Sequence, residues 1–174
     1  MVLKGKKVVV TGASGYLARS IMWHLLKEGA TVYALSSSRS GRQTKDIEGV
    51  KLIHCDLNTA TERNISSELR CADLIINTSG LVADSGNIDE FIAANKHSLE
   101  YILNVLRTSQ STRLIHLGSV MAYDLSKKPV SEDSPLTTSN AVLYSRTKRM
   151  GLEMLSAVAM SLIRTPMLLF IKSS

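Results

Sequence analysis

Apolar runs alternate with helical stripes along this chain. "KVVVTG" (7–12) is β-branched and lacks polar alternation, which is the mark of a strand buried on both faces. "GYLARSIMWHLLKEG" (15–29) comes next, with Leu17, Ile21, Leu25 and Met22, Leu26 at helical spacing and Gly29 as its stop. The same reasoning predicts strands over 31–36, 50–57, 72–80, 112–119 and 160–165. Helices are predicted over 59–69, 87–109 and 140–156, and Pro129 and Pro135 mark one long loop, 123–139. This order implies an α/β fold: a doubly wound parallel sheet with helices on both faces. Such sheets take ligands at the carboxyl ends of their strands. With neither repeat nor linker in view, the chain reads as one domain over 1–174.

The turn between the first strand and the first helix is "TGASGYLA" (11–18), with small residues three apart at Gly12, Gly15 and Ala18. Glycine allows a tight turn and lets a ligand's pyrophosphate approach the backbone, and a third small residue lets the helix pack close to the sheet. The helix then aims its free N–H groups at the phosphates. In this strand-to-helix context the loop predicts dinucleotide binding through Thr11, Gly12, Ser14, Gly15, Tyr16 and Leu17. An acid expected about 20 residues on would hold the ribose 2′-hydroxyl of NAD. Ser36 stands there instead, in "LSSSRSGR", and no acid occurs before Asp46. Ser36 with Arg39 and Arg42 nearby favours a 2′-phosphate, hence NADP over NAD.

Composition narrows the alternatives. In 174 residues there are 21 Lys and Arg against 15 Asp and Glu, a net charge of +6. The basic residues are dispersed, and neither "KGKK" (4–7) nor "SRTKR" (145–149) is interleaved with aromatics, so nucleic acid is not the expected partner. The two cysteines, Cys55 and Cys71, form no CxxC, and the four histidines are scattered in apolar patterns, so no metal site is expected. No apolar run nears the roughly 18 residues of a membrane span. "MVLKGKK" leads into a strand without a signal-peptide core, so a cytoplasmic protein is expected.

Candidate chemistry lies later in the chain. In "YSRTK", Tyr144 and Lys148 are four apart on a predicted helix and so share a face. A phenol has a reference pKa of about 10, and a neighbouring ammonium favours its ionised form, which makes the pair an acid/base device for a hydroxyl or carbonyl. Ser119 closes the fifth strand, in "HLGSVMAY", where its hydroxyl can meet the reacting oxygen.

Taken together, "TGASGYLA", "CDL" (55–57), "NTSGL" (77–81), "HLGSVMAY" (116–123), "SEDSPL" (131–136) and "YSRTK" (144–148) resemble the extended short-chain dehydrogenase/reductases, the NAD(P)-dependent epimerase/dehydratase group. The resemblance covers about residues 6–167 and implies a Rossmann-type fold. It implies that Gly12, Gly15 and Ala18 line the pyrophosphate and that Asp56 and Leu57 flank the adenine. It implies that Thr78, Ser79 and Gly80 pass the nicotinamide-side ribose, and that Asn95 supports the site. Tyr144 would be the acid/base, Lys148 would hold the ribose, Ser119 would orient the substrate oxygen, and Arg164, Thr165 and Pro166 would reach the nicotinamide side. Three positions depart from the family pattern: Ser79 replaces an alanine or glycine, Asp124 a glycine, and Thr147 a serine.

Family members are longer and carry a C-terminal substrate lobe, which this chain largely lacks. Apolar "MLLFI" (167–171) would then be left exposed, and a homodimer becomes an expectation. Two functions are open on these grounds. One is an NADP-dependent oxidoreductase or epimerase/dehydratase acting on a nucleotide sugar or another small carbonyl or hydroxyl compound. The other is an NADP-binding module without turnover, either a redox sensor or an inactive remnant.

Overall fold

The computed structural model describes residues 3–37, 47–59, 62–109, 111–126, 129–131, 133–161 and 169–173. Six parallel strands form one sheet: β1 (Lys7–Thr11), β2 (Thr31–Ser36), β3 (Val50–His54), β4 (Leu74–Asn77), β5 (Arg113–Ser119) and β6 (Leu169–Ser173). Their order is β3-β2-β1-β4-β5-β6, the doubly wound arrangement expected from the alternating pattern.

Alternate side chains of each strand enter different cores. Val8, Val10, Val32, Ala34, Leu74 and Ile76 pack with Ala18, Met22 and Leu25 of helix α1 (Tyr16–Lys27). Val9, Leu35, Ile75 and Leu114 point the other way. There they meet α2 (Glu62–Arg70), α4 (Ser98–Leu106) and α5 (Leu143–Ser161) through Ile65, Leu69, Leu99, Ile102 and Leu155. Both faces of the central strands are therefore dry, which is why β1 and β4 read as unbroken apolar runs.

The helix predicted over 87–109 begins at α3 (Ile88–Ile92), capped by Asn87, whose side chain accepts from the Asp89 N–H. It passes through one π-helical turn, Ala93–His97, before continuing as α4. A π turn adds a residue and so rotates the next stretch of helix about its axis; such turns recur at functional sites. Here it carries Asn95, which is 3% exposed.

The structure corrects the predicted sixth strand. Residues 160 and 161 still belong to α5, and 162–168, with Arg164, Thr165 and Pro166, lie outside the described residues. Leu152, Leu155 and Val158 keep a helical stripe in the core, and that stripe extends α5 past the predicted end at 156. The strand is instead Leu169–Ser173, paired with β5 from Ile115↔Leu169 to Ser119↔Ser173. Residues 169–171 of "MLLFI" are main-chain paired with β5 in the sheet. Strand three is also shorter than predicted, ending at His54, so that 55–57 are free to form a loop at the sheet's carboxyl edge.

Candidate active site

At the carboxyl edge of the sheet, the loop after β1 is held by its backbone. The Ala13 N–H donates to the Leu35 carbonyl at 3.0 Å and the Gly15 N–H to the Gly12 carbonyl at 2.9 Å. Gly12 has φ 65°, and a Cβ there would lie 2.8 Å from the Ser79 amide nitrogen and 2.9 Å from its Cα. Only glycine allows these two strand ends so close an approach. Helix α1 then starts at Gly15 with no side-chain cap and no acidic residue in its first turn. Its first N–H groups and positive dipole end are left for an anion.

A row of side chains underlies this loop. Thr11, Asn77 and His116 are register partners on β1, β4 and β5. The Thr11 hydroxyl donates to Asn77 Oδ1 at 2.6 Å, and the Ser79 N–H donates to the same oxygen at 3.1 Å. With Oδ1 thus engaged, Asn77 Nδ2 donates to His116 Nδ1 at 3.0 Å, which leaves the imidazole proton on Nε2. Ser79 Oγ donates to Thr11 Oγ1 at 2.9 Å, and Thr78 Oγ1 donates to the Thr11 carbonyl at 2.6 Å. Burial, reinforced by the Lys148 charge, pushes His116 down to about 3, so it stays neutral.

Beside this floor lies a cleft of about 540 Å³ lined by Gly12, Ser14, Gly15, Asp56, Leu57, Thr78, Ser79 and Gly80 among others. Of the residues assigned from sequence, these eight are brought together. Thr11 is fully buried beneath them. Ser36 is buried at the end of β2, its carbonyl accepting from the Cys55 N–H, and Ser37 lines the cleft beside it. Tyr16 and Leu17 open α1 with exposed side chains and, like Ser36, are not among the residues that line the cleft. Arg39 and Arg42 lie outside the described residues.

Behind Gly80, at one rim of the cleft, stands α5. Its inward face carries Tyr144, Thr147 and Lys148. Lys148 is 7% exposed; its Nζ donates to the Leu117 carbonyl at 3.3 Å and stands 5.9 Å from the centroid of the Tyr144 ring. Burial pushes this lysine down to about 8. A Cβ on Gly80 would meet Lys148 Nζ at 3.1 Å and Asn95 Oδ1 at 2.8 Å, so the ammonium lies against the rim of the cleft. Asn95 ties the parts together: its Oδ1 accepts from the Leu81 N–H at 2.8 Å, and its Nδ2 donates to the Leu81 carbonyl and to Thr147 Oγ1. Asn95 is thus a buried strut between the loop after β4 and α5, outside the cleft lining. Ser119 ends β5, and its Oγ accepts from the Met121 N–H at 3.2 Å, capping a short 3₁₀ turn (Val120–Ala122) that packs on α5.

Asn77, His116 and the bracing role of Thr147 were not singled out from sequence. Their signal is register, which sequence leaves open. Asp124, a departure from the family pattern, donates its N–H to the Pro135 carbonyl beside a Tyr123↔Leu136 antiparallel bridge, so the long loop is pinned back on itself. Among the described residues, no group of His, Cys, Asp or Glu could hold a metal ion, and no helix is long and apolar enough to cross a membrane.

The sequence profile of the NAD dependent epimerase/dehydratase family matches residues 8–171, and the chain belongs to that family. The family's enzymes are NAD(P)-dependent oxidoreductases and epimerases. One relative is the 4-hydroxy-2-methyl-3-oxo-4-farnesyl-3,4-dihydroquinoline-1-oxide ketoreductase of Stigmatella aurantiaca, 28% identical over 145 residues, covering 82% of this chain and 42% of the relative. Another is the decarboxylating sterol-4-alpha-carboxylate 3-dehydrogenase of Dictyostelium discoideum, 23% identical over 166 residues, covering 91% of this chain and 50% of the relative. The chain thus spans about half the length of these relatives. Among solved structures, the fold is similar to the Bordetella bronchiseptica enzyme WbmG in complex with NAD and UDP. The TM-score is 0.78 at 16% identity, covering 97% of this chain and 53% of that one.

Proposed function

We propose that this chain is the cofactor-binding and catalytic part of an NADP-dependent oxidoreductase or epimerase/dehydratase that acts on a small carbonyl or hydroxyl compound. The observation that carries the reading is the Lys148 ammonium against Gly80. It joins the glycine-lined cleft to the Tyr144 and Ser119 end of the sheet.

The residues present fit a dinucleotide. Gly12, lacking a Cβ, lets the loop after β1 close onto the Ser79 backbone beside the cleft, and α1 begins without a competing acid. Gly12, Ser14 and Gly15, with the first N–H groups of α1, would hold the pyrophosphate. Asp56 and Leu57 would bound the adenine, and Thr78, Ser79 and Gly80 the second ribose. When bound, the nicotinamide supplies or accepts a hydride. The protein's own part is acid/base and positional. Tyr144 moves the proton of the reacting oxygen, Lys148 supplies the cation beside it and binds the ribose hydroxyls, and Ser119 orients that oxygen through its hydroxyl hydrogen. Asn95 and Thr147 hold Lys148 and the loop after β4 in register.

NADP preference rests on the sequence alone: Ser36, followed by Arg39 and Arg42, stands where an acid would be expected for NAD. The cytoplasmic location and the homodimer rest on sequence alone, and a sedimentation run tests the second. The catalytic reading is tested by Tyr144→Phe. Turnover should fall about 100-fold or more, the scale of general acid/base catalysis, while NADPH affinity stays the same. Unchanged turnover would contradict it. NADH bound at least as tightly as NADPH would overturn the cofactor preference.

A further inference from the structure

Charge is unevenly spread along the chain. Residues 1–45 hold eight lysines and arginines against a single acid, Glu28, while residues 46–174 hold 13 against 14. The whole of the +6 excess therefore comes from the first 45 residues. Helix α1 lies in that stretch and turns one side to solvent. Its Ala18, Met22 and Leu25 are buried against the sheet. On the opposite side Tyr16, Arg19, Trp23 and Lys27 follow one another at three- and four-residue spacing, which sets them in one row along the helix. All four are exposed, Tyr16 by 92% and Trp23 by 48%. Contacts within the row are direct: Lys27 Nζ stands 3.5 Å from the centroid of the Trp23 ring, and the His24 ring meets that indole edge-on at 4.9 Å. Lys4 adds an exposed cation at the end of the helix, where a Cβ on Gly29 would meet its Cγ at 3.3 Å.

This row is free of negative charge. Within the helix and its caps the one acid is Glu28, which follows the last helical residue. Among the described residues, neither Arg19 nor Lys27 is paired with a carboxylate. The complement of such a face is anionic. Indole and phenol rings have an apolar body and a polar tip, and they settle where hydrocarbon meets water. Arginine and lysine beside them meet lipid phosphates and snorkel from the same helix. Cations and aromatic rings along the outer side of one helix make a convex strip that a flat anionic surface touches along its whole length. Single-stranded nucleic acid calls instead for a groove that tracks its backbone, and the outer side of a helix packed on a sheet offers none.

We propose that the outer face of α1 docks on an anionic lipid surface, with Tyr16 and Trp23 entering the headgroup layer and Arg19 and Lys27 meeting its phosphates. The inference does not depend on the oxidoreductase reading, because none of these four side chains lines the cleft. Trp23 is the single tryptophan of the chain, so its emission reports this face alone. The full chain is mixed with phosphatidylcholine–phosphatidylserine vesicles and, separately, with vesicles of phosphatidylcholine only, and each mixture is also sedimented. The expected result is a blue shift of Trp23 emission and co-sedimentation with the anionic vesicles only, both lost at high salt. Arg19→Glu combined with Lys27→Glu should weaken binding to the anionic vesicles about tenfold or more, with a melting curve like that of the wild type as proof of folding. If the double variant does not fold, the salt dependence of the wild type gives the same reading. No shift and no sedimentation with anionic vesicles would overturn the proposal. So would equal binding to both kinds of vesicle, binding that salt does not reduce, or undiminished binding by the folded double variant. Quenching of Trp23 by a single-stranded oligonucleotide, with no binding to vesicles, would overturn it in favour of nucleic acid.

Discussion

At the β1–α1 end of the candidate site the working surface is backbone; at the α5 end, beyond Gly80, it is side chains. Around Gly12 the contacts are amide to carbonyl, and the Thr11, Asn77 and His116 row closes the floor beneath with each donor matched to an acceptor. Around Tyr144 the groups are a buried ammonium and a phenol on α5 and a serine hydroxyl at the end of β5, and the Asn95 strut ties α5 to the loop after β4. The first end tolerates almost no change of shape, because a Cβ collides with main chain. The second is built on a buried cation and hydrogen-bonding side chains and is sensitive to change of charge. Binding without catalysis is therefore separable from catalysis by mutation, and the two ends should fail differently.

The largest effect should come from Gly12→Ala. Both the left-handed φ and the 2.8 Å approach to the Ser79 nitrogen oppose a Cβ, and the loop must move away from where the pyrophosphate would lie. Loss of NADPH affinity by about 100-fold or more is expected in a titration, equivalent to about 2.7 kcal/mol. Next is Asn77→Leu. It strips partners from the Thr11 hydroxyl, the Ser79 N–H and His116 Nδ1 at once, and a urea titration should show a stability loss of about 3 kcal/mol.

Charge burial at the two ends gives two separate pH windows. His116 is held neutral in the fold down to about 3, against an ordinary 6.5 when unfolded. The unfolded chain therefore binds the extra proton first, and stability falls as pH drops below 6.5 toward about 3 and is flat above. A protonated ring would also turn Nδ1 into a donor facing the Asn77 amide, so His116→Phe should flatten that slope. Lys148 titrates at about 8 when folded and 10.5 when unfolded, so stability rises with pH between those values. Lys148→Met should abolish that rise and leave the acid limb in place, which thermal melts across pH would read out. The smallest effect belongs to Asp73→Ala. Its 2.8 Å pair with Lys6 is solvent-exposed, and its loss should cost less than about 1 kcal/mol in the same melts, with no change in NADPH affinity.

Legibility in the sequence divides along this line too. Buried strands announce themselves as β-branched runs, and the glycines of 12–15 stand in a strand-to-helix turn with few alternative uses, so the sheet and its phosphate loop were legible. The spacing of Tyr144 and Lys148 placed both on one face of a helix without knowledge of any neighbour. Asn77 and His116 were not legible as partners because they lie 39 residues apart and meet only through the β4·β5 register. The π turn at Asn95 has no composition signal, since "AANKH" is compatible with an ordinary helix. The last strand was misplaced for a different reason. Short apolar runs suit helix and strand alike, and the core stripe of Leu152, Leu155 and Val158 drew the preceding residues into α5.

The central claim is that the backbone around Gly12 and Gly80 forms a dinucleotide site. Its most direct test is a calorimetric titration of NADPH into the wild-type chain and into Gly12→Ala, with matched melting curves. The account predicts one-to-one binding near the micromolar range in the wild type and affinity lower by about 100-fold or more in a folded Gly12→Ala. No binding by the wild type, or equal binding by both, would contradict it.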